Sequence, residues 1–216
     1  MAAMIKKNRN IIVLTSVVIL LPMLAGLILW KKLPDEVATH FSIEGLADSF
    51  SHKSFAVFGI PVFLLAMQWI CFLASLSDSK IKNMDSKIFK IVLWICPAVS
   101  LLTGGVVYSF ALDVKFSISS VFMIFFGLFF IVIGNYLPKC RQNYSLGIRL
   151  PWTLNDEDNW NYTHRLAGRL WVAGGVILIL SSFTKQFWLF AVVTVLMIAI
   201  PVAGSYTFAN NNHIRF

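Results

Sequence analysis

Long apolar runs separated by short polar segments set the pattern of this chain. They fall at about 11–30, 55–76, 89–111, 117–137, 167–183 and 186–207, and Lys90 and Arg169 lie only at the ends of their runs. A helix needs roughly 20 apolar residues to cross a hydrocarbon core of about 30 Å, so the pattern predicts six spans. Backbone polar groups in hydrocarbon must be bonded within a helix or a closed barrel, and the period-2 alternation of barrel strands is missing. The predicted fold class is therefore all-α, a polytopic transmembrane helical bundle. The fifth run is the shortest, and Thr184-Lys185 leaves so little chain before the sixth that the two are expected to form a tight helical hairpin. The first run follows Lys6, Lys7 and Arg9 and reads as a retained span, because it exceeds the 7–15 residues usual for the apolar part of a secretory signal.

Composition agrees with the pattern. Of 216 residues 58% are hydrophobic and only 13% charged, against about 45–50% and about 25% in soluble domains. This excludes an ordinary water-soluble globule and a disordered or nucleic-acid-wrapping chain. Cys71, Cys96 and Cys140 are odd in number and widely spaced, which implies neither a disulfide framework nor a metal quartet.

The net charge of +8 becomes an orientation once the cations are sorted by side. With the N-terminus inside, Lys6, Lys7, Arg9, Lys80, Lys82, Lys87, Lys90, Lys139, Arg141, Arg149, Arg165, Arg169 and Arg215 share one side. Lys31, Lys32, Lys53, Lys115 and Lys185 share the other. Cytoplasmic loops carry the excess of Lys and Arg, so both termini are expected in the cytoplasm. The expected division is an N-terminal two-span module, 1–88, with an outer loop 31–54, and a four-span module, 89–216, with a cytoplasmic loop 138–166.

Candidate chemistry is confined to those two loops. In the outer one, Asp35, His40, Asp48 and His52 are residue types that ligate zinc, but only Asp48 and His52 have ligand-pair spacing, and they share a face only if helical. The preferred reading is a structured loop with a turn at Gly45. In the inner one, Pro151 ends any preceding helix, and Thr153 or Asn155 is placed to cap a new one whose first turn holds Asp156, Glu157 and Asp158. That helix is expected to continue into the fifth span, with Trp160, His164 and Gly168 on one face and Arg165 and Arg169 on a second stripe. Two readings stay open. Lys139, Arg141, Arg149 and His164 form a cationic pocket for an anionic group, or the loop is interfacial, with its tryptophans in the aromatic belt and its arginines on lipid phosphates. No catalytic order of residues, phosphate-cradling loop or membrane-embedded carboxylate occurs, which argues against an enzyme and against ion-coupled transport. No cofactor or metal is expected.

The stretch Gly134, Asn135, Lys139, Arg141, Asn143, Gly147, Ile148, Arg149, Pro151, Trp152, Thr153 and Leu154, then Trp160, Thr163, His164, Arg165 and Gly168, resembles the signature of the SdpI family of bacterial membrane immunity proteins. Leu150 departs from it, standing where the family pattern has Thr. The outer loop, through Leu33, Pro34, Val37, His40, Phe41, Gly45 and Asp48, resembles the small domain of unknown function that often precedes that module; Asp35 falls within the same stretch. The resemblance implies a multi-pass protein of the bacterial cytoplasmic membrane that protects against a secreted, membrane-active peptide toxin. It also implies a receptor role, in which a cytoplasmic transcriptional repressor is sequestered. The alternatives are a signalling protein without immunity and a small-solute transporter. The expected partners are the peptide, that repressor and the bilayer, with no direct contact to nucleic acid.

Overall fold

The computed structural model describes residues 2–42, 44–76, 86–184 and 186–212. Lys80, Lys82, Lys185, Arg215 and the side chains of Lys6 and Lys7, which enter the charge count, lie outside the described residues. Among the described residues six helical segments are long and apolar enough to span a membrane: Asn8–Leu29, Phe55–Ser75, Lys87–Ala111, Ile118–Lys139, Glu157–Thr184 and Leu189–Asn211. The chain is a multi-pass, predominantly helical membrane protein.

The helices are α1 (Ala2–Leu29), α2 (Ile60–Leu76, entered through a π-helical turn at Phe55–Gly59), α3 (Ser86–Leu93), α4 (Ile95–Ala111), α5 (Ile118–Tyr136), α6 (Pro151–Asn155), α7 (Glu157–Thr184) and α8 (Leu189–Asn211). Together α3 and α4 make up the third span. The outer loop departs from expectation. It is an antiparallel hairpin of β1 (Glu36–Phe41) and β2 (Ala47–His52), irregular in register between Ala38 and Phe41. The turn at Gly45 has φ 82°, a left-handed conformation that glycine adopts without a Cβ penalty.

Packing divides the chain into two compact units, residues 1–77 with 89–116, and 78–88 with 117–216. The expected boundary at 88/89 does not follow this division, because the third span packs with the first two. Ser100 Oγ donates to Ile19 O at 2.7 Å and Tyr108 Oη to Pro22 O at 2.9 Å. These hydroxyls bond backbone carbonyls of α1 and tie α4 to it, the interhelical hydrogen bonding that holds spans together in lipid. Leu33, Val37, Ala56, Val57, Val107 and Tyr108 form the core beneath the hairpin.

In the second unit, α5 and α7 approach through paired glycines seven residues apart on each helix. A Cβ at Gly134 would lie 2.9 Å from Gly168 O, and one at Gly175 would lie 2.4 Å from Gly127 O. Helices in lipid gain no hydrophobic drive to associate and depend on this close backbone contact. Helix α8 seals against both helices, through Met123 of α5, Leu178 of α7 and its own Val193 and Met197, and through a Trp171 Nε1 bond to Met197 O at 3.1 Å. The fifth span is not short: α7 runs 28 residues, as one helix from the polar motif into the apolar run.

Candidate functional site

The inner loop is built from its polar side chains inward. After Tyr136 a 3₁₀ turn, Leu137–Lys139, delivers the chain to Cys140. Asn143 is fully buried and organises the next turn: its Nδ2 donates to Arg141 O at 2.8 Å, and its Oδ1 accepts from Ser145 N at 2.9 Å and Leu146 N at 2.7 Å. Burial pushes the Cys140 thiol up from its ordinary value. Gly147, at φ 105°, then lets the chain pass over His164; a Cβ there would land against His164 Nε2.

His164 does not join a cationic pocket. It is buried beneath the loop, with Nδ1 2.8 Å from Trp160 O and Nε2 3.0 Å from Ile148 N. A carbonyl accepts and an amide donates, so the ring is neutral with its proton on Nδ1. It stacks on Trp160 at 4.1 Å between ring centroids, and Trp160 Nε1 donates to Cys140 O at 2.7 Å. The expectation that Trp160, His164 and Gly168 share one face is met, and all three are buried.

Pro151 opens the five-residue helix α6, which the sequence does not announce. Thr153, fully buried, folds its hydroxyl back to accept from Leu150 N at 2.9 Å, with Ile148 O 2.9 Å away as acceptor. The cap of α7 is Asp156 rather than Thr153 or Asn155: it has extended backbone, and its Oδ1 accepts from Asn159 N at 2.6 Å. Gln142 Nε2 donates to Thr153 O and Leu154 O, both at 3.0 Å, tying α6 to the turn.

A second polar network joins α6, α7 and α8. Trp152 Nε1 donates to Ser205 Oγ at 2.8 Å, and Ser205 Oγ donates to Asn159 Oδ1 at 2.8 Å. Asn159 Nδ2 donates to Ser205 O at 3.0 Å, while Thr163 Oγ1 reaches Asn159 Oδ1 at 3.0 Å. Asn159 and Ser205 are fully buried and escaped the sequence reading. The only sequence signal for Asn159 is its spacing, three after a capping Asp and four before Thr163.

The exposed cations are spread over the surface of this framework. Lys139 lies over the Tyr136 ring at 4.8 Å, Arg149 Nη1 donates to Tyr144 O at 2.5 Å, and Arg141 and Arg165 are exposed. Asn135 is exposed near the end of α5.

The outer-loop motif is also brought together, on the hairpin. His40 Nδ1 meets Asp48 Oδ1 at 2.5 Å across the strands, and both side chains are exposed. Asp35 pairs with Lys53 at 2.9 Å, which holds its carboxyl below the usual value. Lys53 also lies over the Trp30 ring at 5.1 Å. Phe41 packs edge-on against Phe110 at 5.2 Å, and Pro34 is exposed. Asp48 and His52 lie on a strand, so four-residue spacing does not place them side by side, and His52 Nδ1 is instead 2.7 Å from Ser54 Oγ. Among the described residues no group of three His, Cys, Asp or Glu is placed to hold a metal.

Comparison with known proteins follows the same two blocks. Residues 139–205 match the SdpI/YfhL protein family, and residues 17–65 match a domain of unknown function, DUF1648. The chain is 28% identical over 204 residues to the protein named Immunity protein SdpI of Bacillus subtilis (strain 168), covering 92% of each chain. No solved structure matches it. The two matched stretches coincide with the inner loop and its flanking helices and with the first span and the hairpin.

Proposed function

We infer that this chain is an integral membrane immunity protein, protecting the cell that makes it against a secreted, membrane-active peptide. The observation that carries the reading is the likeness, along 92% of both chains, to a protein named as an immunity protein. A site assembled for recognition and structure suits it. Buried polar atoms of the inner loop and the start of α7 are engaged with one another or with Ser205 of α8, while exposed groups of the hairpin are left for a partner.

In this reading the hairpin and the outer helix ends meet the peptide, and the inner loop holds α5, α7 and α8 in register. A receptor role, with a cytoplasmic repressor held at the exposed inner-loop cations when peptide is bound, is the finer proposal; the exposure of Arg141 and Arg149 supports it. Termini in the cytoplasm belong to the same proposal. In a background with the three native cysteines replaced, an impermeant thiol reagent added outside labels Ser49→Cys and leaves Asn155→Cys untouched; the reverse pattern inverts the topology.

The test of function is survival. A sensitive strain expressing the parent chain withstands cognate peptide, and Trp152→Ala and Arg149→Ala are compared at equal membrane abundance. Absence of protection by the parent against every peptide secreted by its own producer cells overturns the assignment. Ligand-dependent capture of a DNA-binding protein by a chain that gives no protection favours signalling instead.

A further inference from the structure

One charged feature of the second unit is absorbed neither by the loop framework nor by the hairpin. Asp158, Tyr162, Arg165 and Arg169 of α7, with Phe208 of α8, line an open cleft of about 450 Å³. Arg165 and Arg169 are one turn apart and so are neighbours on the helix surface. Both are exposed, and neither has an ion-pair or hydrogen-bond partner among the described residues. The aromatic wall is built: Tyr162 stacks on Phe208 at 5.0 Å and 24°. Leu166 lines the cleft beside Gly204, where a Cβ would lie 2.9 Å from Leu166 Cδ2, so α8 lies close to α7 at this point.

The position of the cleft along α7 selects its ligand. A hydrocarbon core of about 30 Å takes about 20 helical residues at about 1.5 Å each. Counted back from Thr184, the last residue of α7, that length ends near Arg165. Arg165 therefore stands at headgroup level, and Arg169 lies one turn deeper, from where its side chain reaches back to the interface. Below them Val176 and Leu180, at seven and eleven residues from Arg169, continue the same stripe with exposed apolar side chains. Asp158, two turns before Arg165, places a negative charge at the watery end. A polyanion would meet that carboxylate, whereas a single phosphate with an uncharged head would not.

We propose that this cleft binds the phosphate of an anionic glycerophospholipid between Arg165 and Arg169. The glycerol backbone lies against the Tyr162–Phe208 pair, and the acyl chains run down the Val176–Leu180 stripe. Guanidinium and phosphate match in fork geometry, and such charge-assisted bonds are about twice as strong as neutral ones. The proposal is independent of the immunity reading, since it rests on the cleft alone.

The experiment uses the full chain in phosphatidylcholine nanodiscs, into which phosphatidylglycerol is titrated. Thermal midpoint and lipid retained after purification, the latter by mass spectrometry, are the readouts. Phosphatidylglycerol raises the midpoint of the parent and is retained by it. Arg165→Gln with Arg169→Gln weakens that binding about tenfold or more, the equivalent of one lost charge-assisted bond, while the double Lys variant keeps most of it. Arg9→Gln, at an exposed arginine that does not line the cleft, leaves it unchanged. Should the double Gln variant not fold, each single Gln variant is read instead and loses binding in the same direction. Phosphatidylglycerol binding that survives removal of both guanidiniums overturns the proposal. So does equal, arginine-dependent stabilisation by inorganic phosphate or glycerol phosphate, which would make the site one for a soluble anion.

Discussion

Replacing Asn143 by Ala is the sharpest test of the claim that the inner loop is held by its own polar atoms. The amide serves three backbone groups: Arg141 O, Ser145 N and Leu146 N. Truncation leaves all three without a partner, at about 1–3 kcal/mol each where water stays out. Ser145 and Leu146 are only half-buried, so water recovers part of that loss and the cost falls to about 3 kcal/mol, a factor of about 150 in an opening equilibrium. Hydrogen exchange of the Ser145 and Leu146 amides, read in nanodiscs, should accelerate by about that factor, with amides in the apolar half of α7 unchanged. Asn143→Asp keeps both acceptor bonds, loses the donor to Arg141 O, and should fall between parent and Ala. Exchange within about threefold of the parent in the Ala variant would show that the loop is held by something other than this side chain.

Three further outcomes follow from the same geometry. Gly147→Ala forces a side chain into a left-handed backbone and against His164; strain of about 1–3 kcal/mol should lower the thermal midpoint and remove the Ile148 amide bond to the ring, visible as a shift of the His164 nitrogen resonances. Trp152→Phe and Ser205→Ala each cost about 1 kcal/mol, and because they remove the same 2.8 Å bond the double variant should cost less than the sum; strict additivity would mean that the bond contributes nothing. At the hairpin, the Lys53 ammonium beside Asp35 holds its carboxyl below the usual carboxylate value. A depressed carboxyl contributes stability that is present above its unfolded value and lost as pH falls through the folded one, so the Asp35 titration midpoint should lie lower in the parent than in Lys53→Met.

What was legible in the sequence follows from how each element obtains its stability. The spans were legible because hydrocarbon demands long uninterrupted apolar runs, and nothing else about them needs to be known. The hairpin was not. Residues 36–41 carry Glu36, Thr39 and His40, and residues 47–52 carry Asp48, two serines and His52, so the alternation that marks a half-buried strand is blurred. Its inward contacts are few, chiefly Val37 and Ala38 over the core of the first unit. The strands are specified by pairing with each other, a non-local property. His164 stayed open between two readings for a related reason. Next to Arg165 and within reach of three other cations it reads as part of a basic cluster, yet helical phase turns it inward with Trp160 while Arg165 turns out.

This division by helical phase also limits what the inner loop can do for a partner. Asn143, Thr153, Asn159, Trp160, Thr163 and His164 are buried, and the hydrogen-bonding groups of each are engaged within the loop or with Ser205. A partner approaching from the aqueous side meets Lys139, Arg141 and Arg149 instead, and of these Arg149 is already bonded to Tyr144 O. Substitutions in the buried set should therefore lower membrane abundance and every activity together. Arg141→Ala, by contrast, removes a cation that holds no part of the loop. If the inner face relays occupancy to a cytoplasmic protein, that substitution separates relay from protection, abolishing ligand-dependent capture while survival against peptide is kept. Equal loss of both in Arg141→Ala at unchanged abundance would place the inner cations in protection itself.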